Sequence, residues 1–236
     1  SDHLSGFPPD RTVEAPGFRP PHRTETPPGP LHSGIRRILA RGLRLDPRIG
    51  SLHARPMTLE ISPRAVVSFW TDAGPAKWFA KDDAFDAGFR RRFETAHFAA
   101  ARRELDAWME TPDGALALLI LLDQFPRNVF RGTGHAFATD PLALSLAREA
   151  VGRGHHDAVD PALRNFLLLP FEHSERLEDQ DRYLELVAGN ADSEKWGRIH
   201  RDIIVRFGRF PHRNAALGRE TTPEEQAFLD GGGFGG

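Results

Sequence analysis

The chain has 236 residues, a hydrophobic content of 39% and a formal net charge of −2. That is enough for one large domain with a real core, without the basic surplus that nucleic acid or an anionic membrane would demand. Cysteine is absent, which excludes a disulfide framework, a thiol nucleophile and a cysteine-based zinc site.

Residues 1–56 stand apart. They hold 10 of the 19 prolines and nine basic against five acidic residues, whereas residues 57–236 hold 22 basic against 28 acidic. Prolines remove backbone donors and fix φ, so this stretch is expected to be a disordered extension, with "SGIRRILARGLRL" able to form a short basic amphipathic helix. No secretion signal opens it. Residues 57–230 are expected to form a single domain and residues 231–236 a flexible glycine-rich tail. The longest apolar run, Ala115–Leu122, has 8 residues, against the roughly 20 that cross a bilayer. A cytoplasmic setting with no membrane partner is therefore expected.

Proline placement predicts helix starts. Ser62, Thr111, Asp140, Asp160 and Thr222 each precede a proline, and a cap residue followed by proline suits the first helical turn. Thr222 with Glu225 makes a capping box. Periodicity supplies the faces. Phe85, Phe89, Phe93 and His97 form one stripe. Leu116, Leu119, Ile120 and Asp123 form a second. His173, Leu177, Gln180, Leu184 and Val187 form a third, and Trp196, Ile199, His200, Ile203, Ile204 and Phe207 a fourth. No hairpin pattern occurs. The expected class is all-α, with about eight helices in a compact pack.

Polar groups interrupt these apolar stripes at His97, Asp123, Gln124, His173, Gln180 and His200. Leaving such a group buried and unpaired costs about 1–3 kcal/mol, so they must meet one another, water or a ligand. Pro126, Pro170 and Pro211 each follow an apolar helical run and are expected to end it. Polar residues follow each of the three: Arg127 and Asn128; Glu172, His173 and Glu175; His212, Arg213 and Asn214.

These same residues carry a resemblance. "LLDQFPRNVFRG", "AFATD", "LPFEHSE" and "RDIIVRFGRFPHRNAALGR", in that order, resemble the bacterial family called domain of unknown function 924, and "FWTDAGPAKWFAKDDAFDAGFRRRF" fits its opening. The resemblance covers residues 59–229 and implies a tetratricopeptide-repeat-like α–α superhelix, with no established activity. Its motif positions fall on Asp123, Gln124, Arg127, Asn128, Arg131, His173, Ser174, Glu175, Gln180, His200, Arg206, Arg209, His212, Arg213, Asn214 and Arg219. One departure is Arg102-Arg103, where a small residue is usual.

The chemistry expected of these positions is anion recognition, because arginine forks match phosphate and carboxylate. The arginine count itself argues little, since 28 arginines to 3 lysines fits a GC-rich genome. A pocket lined by Gln124, Arg127, Asn128, Arg131, Gln180, His200, Arg209, His212, Arg213 and Asn214 would hold a small anionic molecule. His173 would be the acid–base group, oriented by Asp123 or Glu175. No cofactor or metal is expected, because no zinc-helix, phosphate-loop or dinucleotide pattern is present. The competing expectation is a non-enzymatic helical module that grips a partner protein. Nucleic acid is opposed by the acidic balance of residues 57–236.

Overall fold

The structure is a computed structural model that describes residues 61–234; the expectations for residues 1–56 lie outside the described residues. All regular structure among the described residues is helical. The α-helices are α1 (Pro63–Ala73), α2 (Pro75–Trp78), α3 (Asp83–Ala101), α4 (Pro112–Leu119), α5 (Phe125–Val129), α6 (Asp140–Gly152), α7 (His155–Ala158), α8 (Asn165–Glu172), α9 (Leu177–Leu186), α10 (Ala191–Phe207) and α11 (Pro223–Asp230). Eight of these have 8 residues or more.

Local chemistry sets several starts. The Ser62 side chain accepts from the Ala65 amide and that of Thr111 from the Gly114 amide. Thr222 and Glu225 close a reciprocal capping box at α11. Two expected caps behave differently. Asp140 is the first residue of α6 rather than its cap, and its carboxylate is taken by two arginines. Asp160 caps a turn through Ala162, and α8 begins only at Asn165.

The core is built around α4, against which α1, α6 and α8 pack. Every residue from Gly114 to Phe125 is buried. Beside it an aromatic group of Trp70, Phe85, Phe89, Phe93, Phe125 and Phe166 interlocks. Each such side chain contributes roughly 1.5–3 kcal/mol when fully buried. The α3 stripe ends as expected in His97, buried with its Nδ1 2.9 Å from the Leu121 carbonyl and its Nε2 2.9 Å from Nε2 of His135.

None of the three prolines itself ends its run. After α4 the chain winds into a π-helical turn over Ile120–Gln124, with the Phe125 amide reaching back to the Ile120 carbonyl, and continues through Pro126 into α5. Pro126 has no N–H to offer the preceding carbonyls. The Leu121 carbonyl accepts instead from His97, that of Leu122 from the Thr139 hydroxyl at 2.5 Å, and that of Asp123 from Arg127 at 2.8 Å. Pro170 lies inside α8, which runs on to Glu172; burial of every residue from Phe166 to Glu172 offsets the lost bond. Only Pro211 follows a finished helix, since α10 stops at Phe207 with Gly208 left-handed.

The expected stripe from His173 to Val187 is also broken. His173 caps the end of α8, Ser174–Arg176 form a bend, and Leu177 is exposed. The Arg102-Arg103 departure falls on a left-handed position, with Arg103 at φ 64°.

Candidate functional site

The π-helical turn and the end of α8 face each other, and their polar side chains meet. Asp123 is fully buried. Its Oδ1 lies 2.8 Å from Nδ1 of His173 and 3.1 Å from Nη1 of Arg127, while Oδ2 accepts from Gln124 at 2.6 Å. Because the carboxylate accepts, His173 must carry its proton on Nδ1, which leaves Nε2 with a free lone pair. Among the described residues Nε2 makes no hydrogen bond.

Arg127 continues the network. Its guanidinium grips both oxygens of Asp140 at 2.9 Å, and Asp140 Oδ2 also accepts from Nη1 of Arg213 at 3.2 Å. Arg213 is buried, with its guanidinium 4.7 Å from the Phe137 ring and 4.5 Å from that of Phe210. On the other flank, Glu172 is buried with Oε1 3.6 Å from Nδ1 of His200. His200 donates that Nδ1 proton to the Trp196 carbonyl at 2.9 Å, which again leaves Nε2 unprotonated. Four buried polar atoms of this region lack partners: Glu172 Oε1, Gln180 Oε1, His212 Nδ1 and Arg213 Nε.

The electrostatics follow from burial and from the two ion pairs. Burial alone would push the Asp123 carboxyl up, but Arg127 and then His173 outweigh it and hold it well below the usual range. Burial raises Glu172 to about 8, with help from Asp123, so it is protonated at neutral pH. Burial lowers His173, assisted by Arg127 and opposed by Asp123. It also lowers His200 to about 4 and His212 to about 3. All three imidazoles are therefore neutral near pH 7. Burial, then Arg127, depresses Arg213 to about 10. The two arginines are matched by Asp123 and Asp140, so the cluster is close to neutral.

The expected residues thus divide. Asp123, Gln124, Arg127, His173, His200 and Arg213 are brought together, and His212 adjoins them. Glu175 does not orient His173: it takes a bidentate pair from Arg219 at 2.7 and 3.0 Å and the Phe210 amide at 2.8 Å. Asn128 and Arg131 both go to Asp86. Arg209 and Asn214 bind the buried Glu225 in the first turn of α11. Gln180 donates to the Glu172 and Ser174 carbonyls and so holds the bend that carries His173. Of the four arginines expected about the pocket, Arg127 and Arg213 meet on Asp140, whereas Arg131 and Arg209 pair with carboxylates elsewhere. An open cleft of about 470 Å³ between α8, α9 and the start of α10, lined by Arg164, Asn165, Leu168, Val187, Asn190 and Ser193, contains none of the expected residues. Asp140 and Glu172 join the cluster without having been singled out for it. Asp140 reads in sequence as a cap, and Glu172 as one more polar residue after Pro170.

Residues 66–233 match the model of a family described as bacterial protein of unknown function, DUF924. The chain belongs to that family. It is also similar to a solved structure, protein of unknown function ATU0120 from Agrobacterium tumefaciens, at 55% identity and a TM-score of 0.69, over 72% of this chain and 97% of that one. No curated protein matches. No helix among the described residues is long and apolar enough to cross a membrane, and no group of three metal-ligating side chains occurs among them.

Proposed function

We propose that this DUF924 protein binds a small molecule bearing an acidic group and moves a proton on it, with His173 as the base. What carries the reading is the Asp123–His173 hydrogen bond flanked by buried, unpartnered polar atoms of Glu172 and Arg213. A carboxylate that fixes an imidazole tautomer makes the far nitrogen a better proton acceptor. A neutral carboxyl beside it can return a proton. An unsatisfied buried donor costs about 1–3 kcal/mol, and a ligand oxygen on Arg213 Nε would recover it.

The charge count narrows the ligand. With Arg127 and Arg213 already facing Asp123 and Asp140, there is no surplus for a dianionic phosphate. A single carboxylate or similar monoanion fits better. A helical module gripping a partner protein is less well supported: Trp196 and Val205, the exposed large apolar residues of α10, stand nine positions apart on opposite faces of the helix.

The test is a calorimetric titration with a panel of carboxylate and phosphate metabolites. Carboxylates should bind the native chain and lose about tenfold or more in affinity with Arg213→Ala, whereas His173→Gln should keep binding and lose turnover. Tighter binding of phosphates, or binding indifferent to Arg213, would overturn the assignment.

A further inference from the structure

Outside the Asp123–His173 centre, the segment after α11 does something its composition does not announce. It turns back and lays Phe234 on the site. The Phe234 ring centroid is 4.4 Å from that of His200, 5.4 Å from His212 and 6.5 Å from Trp196. It meets both imidazoles edge to face, the geometry aromatic pairs favour. His200 and His212 each pack in turn on Phe210, at 5.6 Å, and the Arg213 guanidinium also lies 4.5 Å from the Phe210 ring centroid.

The glycines make this return possible. Gly232 has φ 78°, a left-handed value that side chains resist. The Gly233 amide donates to the Phe228 carbonyl at 2.9 Å, and a Cβ on Gly233 would stand 2.5 Å from that oxygen and 2.6 Å from the Phe228 ring. A bulkier residue at 233 could not take this path, so Phe234 is delivered to the histidines by a specific turn.

We propose that Trp196, His200 and His212 form a subsite for a planar aromatic ring, filled in this structure by the chain's own Phe234. The inference rests on the function proposed above: the ligand of the site is then an aromatic acid whose ring displaces Phe234 and whose carboxylate reaches Arg213 past the edge of Phe210. The Gly231–Phe234 segment is the intramolecular competitor that this ligand must move.

The experiment uses the full chain, its Phe234→Ala variant and its Gly233→Ala variant, with imidazole proton resonances of His200 and His212 followed by nuclear magnetic resonance. Gly233→Ala keeps the ring in the chain but displaces its path, so it stands in if Phe234→Ala disturbs folding. The probes are phenylacetate, benzyl alcohol and acetate. The expected result is that phenylacetate and benzyl alcohol shift both histidines in the two variants at concentrations about tenfold lower than in the native chain, and that acetate, which has no ring, gives no such difference between variants and native chain. Equal response of native chain and variants, or no response to either ring probe, overturns the subsite. If benzyl alcohol binds as well as phenylacetate, and Arg213→Ala changes neither, the ring subsite stands and the acid-binding reading falls.

Discussion

Glu172 is protonated in the fold because burial, and then the neighbouring Asp123 carboxylate, disfavour its negative charge. A carboxyl whose folded pKa is raised binds its proton more tightly folded than unfolded. It therefore stabilises the fold at acidic pH, and that stability is lost as pH rises from the ordinary 4.5 toward about 8. Glu172→Gln mimics the protonated form. Chemical denaturation should find the variant more stable than the native chain by roughly 2–4 kcal/mol at about pH 8, and nearly equal at about pH 5. Arg103 poses a simpler backbone problem. It holds φ 64° with its guanidinium on half-buried Asp106, a conformation that costs a side-chain-bearing residue about 1–2 kcal/mol. Arg103→Gly removes that strain but frees the unfolded chain, so the expected net gain is about 0.5–1 kcal/mol, read as a small rise in Tm.

At the scale of elements, the π-helical turn decides where Asp123 points, and Pro126 is its cause. The arrangement works because side chains from α3 and the start of α6 reach the carbonyls that Pro126 leaves free. Thr139→Val removes the donor to the Leu122 carbonyl while keeping the shape. It should destabilise by about 1–3 kcal/mol in urea unfolding, because that buried oxygen is left bare. In a Pro126→Ala background the restored N–H can take the carbonyl, so the cost of Thr139→Val should shrink, and the double variant should be less destabilised than the sum of the two single variants. This element also shows what was legible in sequence. The caps at Ser62, Thr111 and Thr222 were readable because both partners lie within three residues. The passage of helix through Pro126 and Pro170 was not, because its compensation comes from His97, Thr139 and core burial. The gathering of Asp123, His173 and His200 was foreseeable as polar interruptions of apolar stripes, and that of Arg127 and Arg213 from their places just after Pro126 and Pro211. The diversion of Glu175 to Arg219, and of Arg131 to Asp86, depends on pairings 44 and 45 positions apart, which periodicity cannot see.

Taken as a whole, the molecule buries several imidazoles in their neutral form: His97, His173, His200 and His212 are all lowered from 6.5, with burial the leading cause in each. The unfolded chain takes up protons on these groups at a pH where the folded chain cannot, so stability is lost as pH falls below the unfolded value of 6.5. Asp123, held low by Arg127 and His173 against its burial, adds to the loss under stronger acid. Glu172 works in the other direction from 4.5 upward, but as one group against several it cannot reverse the acid limb. Above the histidine range it acts alone, and stability should decline again toward about 8. The stability profile is therefore expected to peak near the unfolded histidine pKa of 6.5, with a steep acid side and a shallow alkaline side. Calorimetric unfolding in buffers of different ionisation enthalpy would count the protons directly, and uptake of roughly two to four at about pH 5 is expected. The Glu172→Gln variant should flatten the alkaline side and leave the acid side steep. An uptake near zero would mean that water reaches these histidines, and the dry, neutral character argued for the centre around His173 would not hold.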